Sequence, residues 1–321
     1  MNYGINALRK NSKFESKEPP VVLITGCGSG LGYALTKLLY EKSNFRVIAT
    51  ARSAESVAKL RGEFHESERF KILELDIVNQ IQRDQVVAGI FSMWKSIDVL
   101  INNAGISYRS VIEHMDEESE LKQLEVNYLS PLAIIRLVIP SMREKGFGKI
   151  INVSSVSGMV AMPTMASYSA SKHALEGATE ALWYELRPFG ISVSLVQPGF
   201  IKSNSFEKVY YSQKAKLSQK LEGPYADYYS NMDAFIKKLM HKSTVSPEQI
   251  AMIILNLIKE PHPPLWVPVT PDAKLFFWIR KILPRRIFHR FMFLFLPNVR
   301  YWGGKYIKSK SNNTHNLSTA L

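Results

Sequence analysis

Thr25-Gly26-Cys27-Gly28-Ser29-Gly30-Leu31-Gly32 continues the apolar run Val21 to Thr25 and leads straight into Leu31, Ala34, Leu35, Leu38 and Leu39. Those last five recur at i, i+3, i+4, i+7 and i+8, the stripe of a helix packed by one face. A strand, a glycine turn and a helix in that order put free helix N–H groups and the positive dipole end at the turn, which suits a phosphate-bearing ligand. The spacing is TGxxxGxG rather than GxGxxG, because Tyr33 stands at the third position. The physics is shared: missing Cβ atoms let backbone approach a pyrophosphate. A glycine-rich turn with no ligand is the alternative reading.

Outward from this turn, short β-branched runs alternate with helical periodicity. The further runs are Phe45 to Thr50, Phe70 to Leu75, Asp98 to Asn102, Lys149 to Ser154, Ile191 to Val196 and Leu265 to Val269. They are apolar at successive positions, which suits strands buried on both faces. The expectation is an α/β Rossmann-type doubly wound parallel sheet of about seven strands, helices on both faces and a helical C-terminal extension. Ser246-Pro247-Glu248 reads as an N-cap with Pro at the first helical position, opening a helix to about Leu257. The expected organisation is a polar extension over 1–19, a catalytic domain over 20–272 and a basic amphipathic extension over 273–321. Within the domain, 202–245 is too long for a simple connection and reads as a substrate loop or lid.

The 321 residues are 46% hydrophobic and 21% charged, which excludes a disordered chain. One cysteine, Cys27, excludes an internal disulfide and any multi-cysteine metal site. It reads as a small loop residue rather than a redox thiol. The histidines show no metal-ligand spacing, so no metal is expected. Polar residues 1–19 and the lack of an 18-residue apolar run suggest neither a secretory leader nor a spanning helix. The expected location is cytoplasmic, with peripheral membrane contact as an addition.

About 20 residues beyond the glycine turn, an Asp or Glu would bind an adenosine ribose 2′-hydroxyl. Thr50-Ala51-Arg52-Ser53 has no acid there, and Arg52 can pair with a 2′-phosphate. This favours NADP(H) and keeps NAD(H) as the alternative; a solvated Arg52 is the plain reading. Tyr168 and Lys172 are four apart and share a helix face. The same Tyr-x-x-x-Lys spacing recurs at Tyr33, Tyr210, Tyr301 and Tyr306, so context must choose. Only Tyr168 follows the fifth run by a short loop, with Ser154-Ser155 at the run's carboxyl end, where doubly wound sheets bind ligands.

Thr25-Gly26-xxx-Gly30-x-Gly32, Asp76, Asn102-Asn103-Ala104-Gly105, Asn127, Ser155, Tyr168-xxx-Lys172 and Pro198-Gly199 together resemble the short-chain dehydrogenase/reductase family over about residues 20 to 205. Within the family, the glycine loop and lipophilic C-terminal extension are most similar to members acting on steroids, retinoids or other lipids. The resemblance implies an NADP(H)-dependent oxidoreductase that moves a hydride between nicotinamide and an alcohol or carbonyl. Tyr168 would be the general acid/base and Lys172 would stabilise its phenolate and bind the nicotinamide ribose. Ser155 would hold the substrate oxygen and Asn127 a water leading from Lys172 to solvent. Thr25, Gly26, Ser29, Gly30, Leu31 and Gly32 would cradle the pyrophosphate. Asp76 and Ile77 would lie near the adenine and Asn103, Ala104 and Gly105 on the adenosine side. Pro198, Gly199, Ile201 and Ser203 would meet the carboxamide. A homo-oligomer follows by resemblance. Reduction of a 3-oxoacyl thioester and a non-catalytic NADP(H)-binding scaffold at a membrane are the competing readings.

The net charge is +13, from 41 Lys and Arg against 28 Asp and Glu, and ten of those thirteen charges lie in 273–321, which has no acid. There Leu275, Phe276, Ile279, Ile282 and Leu283 share one helical face. After Pro284, Ile287, Phe288, Phe291, Leu294 and Phe295 form another, with Arg285, Arg286 and Arg290 opposite. Two amphipathic helices of this kind suit an anionic membrane surface, contacted through 273–310, or a cover over the substrate cleft. The apolar stripes argue against nucleic acid.

Overall fold

The structure is a computed structural model that describes residues 18–202, 209–220 and 223–303. Most of the 1–19 extension, Ser203 and the end of the basic tail lie outside the described residues.

All seven expected runs are strands: β1 Val21–Ile24, β2 Arg46–Ala51, β3 Phe70–Glu74, β4 Val99–Asn102, β5 Gly148–Val153, β6 Ile191–Gln197 and β7 Trp266–Pro268. They pair in parallel in the order β3-β2-β1-β4-β5-β6-β7. The successive apolar positions have their physical cause here. Val22 and Ile24 belong to one core with Ala34, Leu35 and Leu39 of helix α1 (Gly30–Lys42), Val57 and Leu60 of α2 (Ala54–Glu63) and Ile250 and Ile254 of α9 (Pro247–Lys259). Val21 and Leu23 belong to the opposite core with Val87 and Ile90 of α3 (Gln80–Trp94) and Ile134 and Val138 of α5 (Ser130–Lys145). Strand order reverses between β1 and β4, so their carboxyl ends form the crevice in which doubly wound sheets bind ligands.

Helix α4 (Glu117–Leu124) runs into α5 through Glu125–Leu129, a five-residue stretch of π-helix that carries Asn127. Such a widened turn is rare and often marks a functional position. Ser246 caps α9 with Pro247 at its start, as the Ser-Pro-Glu reading predicts, and Gln249 completes a capping box that the reading did not include. The long 202–245 stretch holds two helices, α7 Gln213–Lys220 and α8 Ala226–Lys242. Between β5 and β6 lies α6, Ala166–Leu186, so Tyr168 already sits in its first turn.

The tail forms α10 (Pro271–Ile282) and α11 (Arg285–Phe295), parted at Pro284 as expected. The expected apolar faces do not stay whole. Phe276 and Phe288 are buried and Ile279 and Leu283 partly so, whereas Leu275, Ile282, Ile287, Phe291, Leu294 and Phe295 are exposed. The stripes are wider than the arc that packs on the protein, so each helix has one apolar face turned inward and one outward.

Candidate active site

The glycine turn is built from backbone that only glycine tolerates. Gly26 has φ +74°, and a Cβ there would lie 2.7 Å from Cα of Ala104; a Cβ on Gly32 would strike the carbonyl of Gly26. Thr25 Oγ1 accepts from the backbone of Asn103 at 3.0 Å and Ala104 at 3.1 Å, while Asn103 Nδ2 donates to the carbonyls of Thr25 and Gly26. Thr25, Gly26, Asn103 and Ala104 are thus one unit that clamps the ends of β1 and β4. Ser29, the N-cap of α1, makes no side-chain cap bond, which leaves the first-turn N–H groups of Gly30, Leu31 and Gly32 directed at the turn. This uncapped cradle fits the pyrophosphate of a dinucleotide. Cys27 faces inward, and burial pushes its thiol up to about 11, which makes a thiolate unfavourable. Arg52 is exposed just past β2, next to Ser53, the cap of α2. Asp76 binds the backbone N–H of Val78, and Ile77 is buried beside it.

The sheet and α6 bring together four of the residues singled out by sequence. Lys172 is buried, its Nζ donates to the carbonyl of Val153 at 3.0 Å, and it stands 6.0 Å from the ring centre of Tyr168. Ser155 lies close enough to Tyr168 to favour its phenolate, and it caps the short turn Val156–Gly158, its Oγ accepting from Ser157 N at 3.2 Å. Asn127 Oδ1 accepts from Ile106 N at 2.9 Å, and its Nδ2 donates to Ile106 O at 2.9 Å and Ser171 Oγ at 3.0 Å. Both amide protons are therefore engaged within the protein, so only a remaining acceptor lone pair or the main chain can hold a water. Gly105 closes the gap: a Cβ there would lie 3.2 Å from Asn127 Oδ1 and 3.6 Å from Lys172 Nζ.

Electrostatics at the site are dominated by burial. It raises Tyr168 above the ordinary phenol, offset by the nearby Ser155 and the positive charge of Arg109. It lowers Lys172 to about 8, against the pull of Glu176. Glu176 is itself raised to about 7 by burial, although it accepts from Ser154 Oγ at 2.7 Å and Gln197 Nε2 at 2.9 Å. Four residues missed in the sequence thus bear on the site. Glu176 had a readable signal, since it lies four beyond Lys172. Arg109 had none: its charge is felt at Tyr168, and the backbone bridge Ser110 to Met165 ties its segment to the start of α6. Thr270 and Asp272 also had none, yet Thr270 Oγ1 accepts from Gly199 N at 2.9 Å and Asp272 Oδ2 from Phe200 N at 3.0 Å. The Pro198-Gly199 loop is held by the cap of α10, and Ile201 sits next to it, partly buried.

A glycine turn whose free helix N–H groups fit phosphates, a buried Tyr–Lys pair at the end of β5 and a glycine loop after β6 are the features of a nicotinamide-dependent oxidoreductase of the Rossmann type. Residues 20–214 match the short chain dehydrogenase family, and the chain belongs to it. It is 31% identical over 265 residues to 3-ketodihydrosphingosine reductase of Bacteroides thetaiotaomicron, covering 81% of this chain and 91% of that one. It is 30% identical over 259 residues to human 17-beta-hydroxysteroid dehydrogenase type 1, covering 76% of each. The fold superposes on a Burkholderia cenocepacia short chain dehydrogenase in complex with NADP with a TM-score of 0.63, at 27% identity over 85% of this chain and 97% of that one.

Proposed function

We propose that this chain is an NADP(H)-dependent carbonyl reductase and alcohol dehydrogenase for a lipophilic substrate of steroid, retinoid or long-chain lipid type. The observation that carries the substrate class is the setting of Tyr168. It packs in one apolar cluster with Met159, Met162 and Met165 beside it, Met232 of α8, and Phe276 and Phe288 of the tail helices. An oxygen held by Ser155 and Tyr168 would therefore belong to a molecule whose body is surrounded by methionine and phenylalanine. Two relatives carry names of the same chemical kind, a ketodihydrosphingosine reductase and a hydroxysteroid dehydrogenase.

Bound along the β1–β4 crevice, the nicotinamide cofactor supplies or accepts the hydride. Tyr168 gives its phenolic proton to the carbonyl oxygen in reduction and takes it back in oxidation. Ser155 orients that oxygen. Lys172 would hold the ribose and, as ammonium, favours the phenolate, a proton returning to Tyr168 from the Asn127 side after reduction and leaving toward that side after oxidation. Thr25, Gly26, Ser29, Gly30, Leu31 and Gly32 hold the pyrophosphate, Asp76, Ile77, Asn103, Ala104 and Gly105 the adenosine side, and Pro198, Gly199, Ile201 and Ser203 the carboxamide. Arg52, with no acid beside it in Ala51-Arg52-Ser53, selects the 2′-phosphate. Helices α7 and α8 form the lid over the substrate, and the enzyme works as a homo-oligomer.

The test is cofactor oxidation with steroid ketones, retinal, long-chain ketones and a 3-oxoacyl thioester, each with NADPH and NADH. The expected result is turnover of a lipophilic ketone or aldehyde with NADPH favoured. Arg52→Ala removes a charge-assisted contact and erodes that preference by about tenfold or more. Turnover of the thioester alone, or NADH preferred by the native enzyme, overturns the assignment.

A further inference from the structure

The outward faces of α10 and α11 have no place in the chemistry above. On α10 they consist of Leu275, Trp278 and Ile282, spaced i, i+3 and i+7, with Ile282 72% exposed. Lys274 and Lys281 line one edge of this row, and Lys281 Nζ stands 5.3 Å from the Trp278 ring centre. On α11 the row is Ile287, Phe291, Leu294 and Phe295, which at 3.6 residues per turn spans an arc of about 100°. Arg286 and Arg290 fall at its edge. Each helix therefore turns one apolar row inward, to the cluster that holds Tyr168, and a second outward with cations along one edge.

We propose that these outward faces seat the protein on an anionic phospholipid bilayer, with the inward faces covering the substrate pocket at the point of contact. The proposal rests on the lipophilic-substrate reading, because a cover that lies on a bilayer lets such a substrate enter without crossing water. The charge pattern selects the occupant. Residues 273–303 contain seven Lys and Arg and no Asp or Glu. A second copy meeting this face about a twofold axis would set those cations against themselves. A nucleic acid would complement the cations and leave the apolar rows in water. An acidic lipid surface satisfies both, since tryptophan and phenylalanine enter the acyl boundary while lysine and arginine reach the headgroups. No helix among the described residues is long and apolar enough to cross a membrane, so the contact is one of surface binding.

The full chain is sedimented with vesicles of phosphatidylcholine alone and with roughly a third phosphatidylserine, each basic residue contributing about fivefold to partition into the anionic ones. The native protein is expected to sediment with the anionic vesicles, less so as salt rises, and to stay in the supernatant when mixed with neutral vesicles. Trp278→Ser with Phe291→Ser, and Arg286→Gln with Arg290→Gln, are each expected to lower that partition tenfold or more. Reduction of a water-soluble ketone without vesicles stays at the native rate in both double variants. Equal binding to both vesicle types, or none, overturns the proposal. So does a Trp278→Ser/Phe291→Ser variant that changes oligomeric state while the native protein ignores vesicles, which would give the face to a second copy. Vesicle binding with the expected losses, but no ketone reduced by any variant, upholds this surface and refutes the catalytic reading instead.

Discussion

Glu176 stands one helical turn beyond Lys172, and burial presses both toward their neutral forms. Glu176 ionises near pH 7, so above that value it supplies the negative charge that keeps Lys172 an ammonium. In Glu176→Gln that support is gone, and the alkaline fall of kcat/KM for reduction is expected at lower pH than in the native enzyme. Stability gives a second readout. A carboxyl raised from 4.5 to about 7 stabilises the fold when protonated and loses that contribution as pH rises through its folded value, so the variant should show a flatter Tm between about 4.5 and 7. An unchanged rate profile removes Glu176 from the relay. Tyr168, Lys172 and Ser155 were legible because local spacing and position after a strand single them out, whereas Asn127 was legible only through the family resemblance. Arg109 was not, since its segment is tied to the start of α6 by a bridge between segments 55 residues apart in sequence, Ser110 and Met165.

At the level of elements, strands and most helices were legible because burial on two faces writes continuous apolar runs and burial on one face writes a stripe. The tail shows the limit of that reading. A stripe tells how much of a helix is apolar, and it does not tell which part meets protein; Phe276 and Leu275 are adjacent in sequence and take opposite roles. The start of α10 also does more than begin a helix. Thr270 caps it by accepting from Ala273 N and holds Gly199 at the same oxygen. Thr270→Val keeps the shape and removes both acceptances, which should cost about 1–3 kcal/mol. The expected outcome is a Tm lower by several degrees and a raised KM for NADPH, with kcat affected less. A stability loss with unchanged cofactor KM would mean that the loop keeps its shape without the cap.

For the whole molecule, the +13 charge divides by location. The sheet and its covering helices are nearly balanced, and ten of the positive charges belong to the last 49 residues. The carboxyl end of the sheet and the inner faces of the tail share one apolar cluster, so the charged segment and Tyr168 are neighbours in space although about a hundred residues apart in sequence. That neighbourhood makes this member of the family a candidate for lipophilic substrates. The role proposed for Tyr168 is to pass the proton in a hydride transfer. The most direct measurement is the steady-state rate of NADPH oxidation by purified Tyr168→Phe, with the ketone that the native enzyme reduces best. The variant keeps the ring in the apolar cluster and loses only the hydroxyl. A fall in kcat/KM of about 10²–10⁴ with cofactor binding retained is the predicted result, and a rate equal to that of the native enzyme would contradict it.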